Sequence, residues 1–172
     1  WYDGGAPGEA RVIDAVRAAC EATGFFMIAG HRFDEALVAR LYDTSRAFFD
    51  LPAEAKAACL PVGEVAGGLM HFSQGMEKLA STMGVETPPD VKEALDFGPL
   101  YRGGPWPSEP EGLLEVWQAY YDAMDGLCVV LRRILARAAG LADDYFEPFF
   151  KNTLSSLRVL DYPEPVTPPG VT

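Results

Sequence analysis

Apolar positions along the chain follow a helical spacing over most of its length and a strand-like spacing in three short stretches. From Glu9 to Thr23, the residues Val12, Val16, Ala19 and Thr23 recur every three or four positions, and Gly24 is placed to end the helix. Phe25 to Ala29 is then a run of five apolar residues without alternation, which predicts a short strand covered on both faces. Asp34 can cap a second helix in which Leu37, Leu41, Ser45 and Phe48 share one side, and Pro52 opens a third.

Beyond Lys56 the pattern loosens, and Leu60 to Gly68 reads as a loop. Pro88 and Pro89 fix an extended approach to Ala94–Phe97, which can join a sheet edge. Asp90, Lys92 and Glu93 have the composition of a catalytic cluster, but alternating sign on a short segment also describes solvated salt bridges, the reading preferred here. Tyr101 to Pro110 is predicted as a loop. From Glu111 to Ala139 the positions Leu113, Trp117, Tyr120, Met124, Leu127, Leu131, Ile134 and Ala138 form one stripe, with Gly140 as the stop. A helix of that length spans about 40 Å; its stripe suits a scaffold packed on a sheet, with a dimerising seam as the alternative. Asp143 to Phe150 is a short aromatic-rich helical turn. Leu154 to Tyr162 is the last predicted strand, with Leu157, Val159 and Asp161 on one face and Arg158, Leu160 and Tyr162 on the other.

Composition narrows the class. A chain of 172 residues with 49% hydrophobic residues can bury one core, and a net charge of −11 with scattered Lys and Arg argues against a nucleic-acid or anionic-membrane surface. The three cysteines, Cys20, Cys59 and Cys128, have no metal-ligand or disulfide spacing and are read as reduced core thiols of a cytoplasmic protein. No signal peptide or membrane span is visible in the sequence. The absence of an initial methionine and the proline-rich final residues suggest that both ends are cut.

A series of short motifs carries more than their periodicity. Ala19-Cys20-Glu21, Gly24-Phe25-Phe26, Gly30-His31 and Phe48-Phe49-Asp50-Leu51-Pro52-Ala53-Glu54-Ala55-Lys56 occur in that order. Pro89-Asp90-Val91-Lys92-Glu93 and a strand ending in Tyr162-Pro163 follow. The series resembles the N-terminal region of the iron(II)/2-oxoglutarate-dependent dioxygenases, in the branch that contains isopenicillin N synthase. The resemblance implies an α+β fold: an α-rich N-terminal lobe over residues 1–152, then over residues 153–172 the first strand and turn of a double-stranded β-helix, or jelly roll, left incomplete. It implies an oxygenase that uses Fe(II), 2-oxoglutarate and dioxygen to hydroxylate, desaturate or cyclise a small organic molecule. It places Tyr162 where a tyrosine hydroxyl reaches a carboxylate of the co-substrate or substrate, and Leu160 where several relatives carry asparagine. Met70 and His71 stand where relatives have glycine and tyrosine at the pocket mouth, which makes His71 and Phe72 candidates for substrate contact; a surface-loop histidine is the alternative.

The metal chemistry itself is missing from the text. Such an iron site needs two histidines and one carboxylate on one face, written in this family as His-x-Asp and a distant histidine, with Arg-x-Ser for 2-oxoglutarate. The only histidines are His31 and His71, neither begins His-x-Asp, and there is no Arg-x-Ser. His31, three residues before Asp34, is better explained as a structural turn residue. No metal ligand or catalytic residue is therefore expected in this chain. Two functions remain: the N-terminal portion of an oxygenase whose metal site lies elsewhere, or a non-catalytic interaction module made of the lobe alone.

Overall fold

The computed structural model describes residues 4–59, 69–74, 82–84, 90–103, 105–151 and 154–163. Among these residues it is helix-rich with two small open sheets, a mixed α and β architecture. The chain divides into two compact units, one formed by residues 1–35 and 120–153 and the other by residues 36–119 and 154–172.

In the first unit, helix α1 spans Gly5–Ala22. It begins four residues before the predicted Glu9, because Pro7 in a first turn forfeits only an N–H that has no intrahelical acceptor there. Helix α4 spans Leu113–Ala138, about 39 Å, and its portion from Tyr120 onward belongs to this unit. Ile13 and Val16 of α1 meet Ile134 and Ala138 of α4 in a buried cluster flanked by Val12, Val130, Leu131 and Leu135. Arg17 Nε donates to the Ala138 carbonyl at 2.7 Å, satisfying one of the acceptors that every helix end leaves over. Arg137 adds ion pairs to Glu9 at 2.8 Å and Asp143 at 3.6 Å. Gly140 takes the left-handed conformation (φ 74°) that closes α4, and Leu141 N–H bonds back to Ala136 at 2.9 Å. A 3-10 turn, Glu147–Phe150, follows.

The strand predicted at Phe25–Ala29 does not form. The segment pairs with no strand among the described residues, and Phe25 and Met27 are 83% and 99% exposed. An apolar run has strand propensity, but a strand exists only where another backbone completes its ladder.

In the second unit, helix α2 spans Glu35–Phe49 and buries Leu37, Leu41, Ser45 and Phe48, the stripe predicted from spacing. Helix α3, Ala53–Ala57, opens at Pro52. Strands β1 (Leu69–Met70) and β4 (Tyr101–Gly103) form a parallel pair, although Tyr101 was expected to begin a loop. Strands β2 (Phe72–Gln74), β3 (Glu93–Phe97) and β5 (Leu157–Asp161) form an antiparallel sheet in the order β2-β3-β5. Phe48 packs edge-on against Phe72 at 5.4 Å, and Leu95, Leu113 and Trp117 complete a fully buried centre. Trp117 Nε1 donates to Ser45 Oγ at 3.1 Å, which explains a serine within an apolar stripe.

Two sequence expectations need correction in this frame. Lys92 and Glu93 are not solvated: both are buried, with Glu93 bonded to Lys56 at 2.6 Å and Lys92 3.7 Å from Asp90. A strand in mid-sheet has two covered faces, so its charges must find partners inside. Cys59 is buried, but Cys20 and Cys128 are exposed, because Cys20 lies past the last buried position of α1 and Cys128 lies off the stripe of α4. The predicted loop at residues 60–68 lies outside the described residues, as do most of Gly75–Pro89 and residues 164–172.

Candidate active-site face

The three-stranded sheet positions every described residue to which the sequence assigned a binding role. Its register sets Phe72 opposite Leu95, and Leu95 opposite Val159; these residues share the face that packs on the helices. Alternation places Ser73, Ala94, Asp96, Arg158 and Leu160 on the opposite face. Tyr162 comes one residue after β5 and is 65% exposed, with Pro163 behind it.

His71 sits at the junction of β1 and β2. Its backbone carbonyl accepts from Asp96 N–H at 2.7 Å, and its Nδ1 lies 3.0 Å from the Asp96 carbonyl. A carbonyl can only accept, so Nδ1 carries a proton. The ring stands edge-on to Trp106 at 5.2 Å, and Trp106 in turn contacts Phe97 at 5.4 Å and Trp117 at 5.5 Å. His71 is therefore a half-buried member of an aromatic cluster with a fixed tautomer, not a loose surface side chain. Trp106 Nε1 is buried there with no hydrogen-bond partner among the described residues. Phe72 is buried in the core against Phe48, on the face of the sheet opposite Ser73 and Asp96.

Asp96 and Arg158 form an ion pair on this opposite face, where Ala94 and Asp96 of the middle strand are buried. Arg158 Nε and Nη2 reach the two Asp96 carboxylate oxygens at 2.6 and 3.1 Å, a two-pronged pair directly across the ladder. Sequence reading took Asp96 only as a strand residue. The available signal was an acidic residue within the otherwise apolar Ala94–Phe97, with an arginine in the last strand to match it. Lys56, which donates to Glu93 and to the Phe49 carbonyl, was likewise seen only as the end of a motif. Burial pushes the Cys59 thiol above the ordinary thiol range.

Neither histidine is placed for iron. His31 Nδ1 accepts from Phe33 N–H at 3.1 Å, a turn contact of the kind expected from its sequence position. No group of three His, Cys, Asp or Glu among the described residues could hold a metal ion, so these residues do not fit an iron centre. In the first unit, a largely apolar cleft of about 430 Å³ lies between α1 and α4, with Val12, Ile28, His31, Leu127 and Ile134 in its wall. No helix among the described residues is long and apolar enough to cross a membrane.

Residues 3–119 match the family described as the N-terminal region of non-haem dioxygenase in morphine synthesis. The 2-oxoglutarate-Fe(II) type oxidoreductase hxnY of Emericella nidulans is 32% identical over 90% of this chain and 48% of its own length. The 2-oxoglutarate-dependent dioxygenase citB of Monascus ruber is 32% identical over 92% of this chain and 51% of its own. Among solved structures, a 2OG-Fe(II) oxygenase family protein from Caulobacter crescentus superimposes with a TM-score of 0.73 at 25% identity, covering 92% of this chain and 53% of that one. A full-length Neurospora crassa protein solved in complex with alpha-KG gives a TM-score of 0.75 at 24% identity over 94% of this chain and 52% of its own, a likeness of fold. The chain thus spans about half the length of the curated relatives it matches. With more than half of its residues under the family's N-terminal signature, the chain belongs to the iron(II)/2-oxoglutarate-dependent dioxygenases and carries their N-terminal region.

Proposed function

We propose that these residues are the N-terminal portion of a non-haem iron(II)/2-oxoglutarate-dependent oxygenase that oxidises a small organic molecule. Iron and 2-oxoglutarate supply the oxidising chemistry when bound, and the metal ligands come from outside these 172 residues. The observation that carries the reading is strand β5. It pairs with β3 in a small open sheet and presents Arg158 and Leu160 on one face, leading directly to Tyr162-Pro163. Residues 1–152 then form the helical lobe, and residues 153–172 enter a jelly roll that the rest of the protein completes. Tyr162 contributes a hydroxyl to a carboxylate of 2-oxoglutarate or substrate, and His71 borders the substrate entrance.

Tyr162→Phe in the full-length protein tests this role, because it removes the donor and keeps the ring. A hydrogen bond to a charged group contributes roughly 1.5–3 kcal/mol, or about 10- to 150-fold in affinity. The expected result is a KM for 2-oxoglutarate, or for a carboxylate substrate, raised by about that factor with folding stability unchanged. Normal KM values combined with a lowered melting temperature would make Tyr162 a packing residue and refute the assignment.

A further inference from the structure

The cleft of about 430 Å³ in the first unit joins apolar walls to a cationic mouth. Val12, Ile28, Leu127, Leu131 and Ile134 make most of its surface apolar, and none of the described residues lining it is acidic. Its size falls in the range of about 300–1,000 Å³ typical of small-molecule sites. Val12, Leu127 and Leu131 are half-buried and Ile28 is 40% exposed, so the walls are reachable from solvent. Apolar surface left open to water favours an apolar occupant.

Arg11 supplies the charge in that lining. It is exposed and takes part in no hydrogen bond or ion pair among the described residues. Its neighbours on α1 explain why: Glu9 is bonded to Arg137 at 2.8 Å and Asp14 to Arg17 at 3.1 Å, so both nearby acids already hold a cation. The guanidinium lies back along the helix, with Nη2 3.9 Å from where a Cβ on Gly8 would stand. Gly8 lines the cleft too, which sets the cation at the mouth of the cavity. His31 adds a donor to the same lining. Its Nδ1 accepts from Phe33 N–H, so Nε2 carries the proton, and that nitrogen bonds to no described residue.

In a protein of net charge −11, a cleft that sets an unengaged cation beside apolar walls is complementary to an anion with a hydrocarbon body. The planar fork of arginine suits a carboxylate. We propose that this cleft binds a small monocarboxylate whose apolar body lies against Val12, Leu127 and Leu131 and whose carboxylate meets Arg11; this holds whatever reaction the complete protein performs.

The test is calorimetric titration of the full-length protein, anaerobic and saturated with Fe(II) and 2-oxoglutarate. The probes are octanoate and decanoate, each beside its methyl ester and kept below micelle-forming concentrations. The acids should bind, and the esters should bind about fivefold or more weakly, the upper range of an ion pair near a protein surface. Arg11→Gln should bring the acids down to the level of the esters, with ester binding and melting temperature unchanged. Arg11→Lys should keep part of the preference. Ala15→Phe sets a ring into the cleft from an exposed helical position and should weaken acids and esters alike by a similar factor. A wild type that binds none of the probes overturns the inference, the result if the rest of the protein or a second copy fills the cleft. Equal binding of acids and esters overturns it as well. So does acid binding that neither Arg11→Gln nor Ala15→Phe changes, which puts the acids elsewhere. An Arg11→Gln variant that fails to fold shows the guanidinium to be structurally engaged and overturns it too.

Discussion

Replacing Lys56 by methionine removes a cation that joins three parts of the second unit. Its ammonium lies 2.6 Å from Glu93 on β3 and 2.7 Å from the Phe49 carbonyl at the end of α2, while its backbone belongs to α3. The side chains of Lys56 and Glu93 are 11% and 6% exposed. At an effective dielectric of about 20, charges this close attract by roughly 6 kcal/mol. Withdrawing each ion from water costs several kcal/mol, so the intact pair is close to neutral against an apolar pair of equal volume. Breaking it is different, because Glu93 then stays buried without that counter-charge. Lys56→Met should destabilise by about 3–5 kcal/mol, whereas Lys56→Met/Glu93→Met should recover most of the loss. What the double variant fails to recover should be about 1 kcal/mol, for the Phe49 carbonyl that has lost its donor. Urea denaturation followed by tryptophan fluorescence gives the three midpoints, and a double-mutant cycle gives the coupling. A Lys56→Met cost below about 1 kcal/mol, or a double variant as unstable as the sum of the singles, would refute the reasoning.

Ser45→Ala leaves the buried Trp117 indole N–H without its acceptor and should cost about 1–3 kcal/mol; a melting temperature equal to wild type would contradict this. Gly98 has φ 141°, and a Cβ there would stand 2.6 Å from the Ser155 carbonyl oxygen. Gly98→Ala should therefore lose about 1–3 kcal/mol from backbone conformation alone, more with the clash, as read by thermal unfolding. Alkylation followed by peptide mass spectrometry should label the exposed Cys20 and Cys128 first and the buried Cys59 last. Burial raises the Cys59 pKa, so its thiolate fraction is smaller at a given pH, and its labelling midpoint should lie above the ordinary thiol value.

Periodicity alone determined the helices. The α2 stripe Leu37, Leu41, Ser45 and Phe48 and the long helix α4 were legible because a helix makes its own hydrogen bonds and needs only one apolar side. The strands β3 and β5 were legible in part, from bounding prolines and from alternation, whereas β1, β2 and β4, at two or three residues each, are too short to show a period. The ordered motif series was enough to place the chain in its family, since order along a chain survives without any fold in hand. Strand pairing is a different kind of fact, for it depends on a backbone distant in sequence. Phe25–Ala29 has the composition of a buried strand, yet it is exposed and unpaired among the described residues. The buried partnerships of Lys56 with Glu93, Trp117 with Ser45 and Arg158 with Asp96 join residues 37, 72 and 62 positions apart. Each is fixed by the cost of leaving a polar group dry and unbonded. That cost arises only once folding has excluded the water, so no reading of the chain in one dimension contains it.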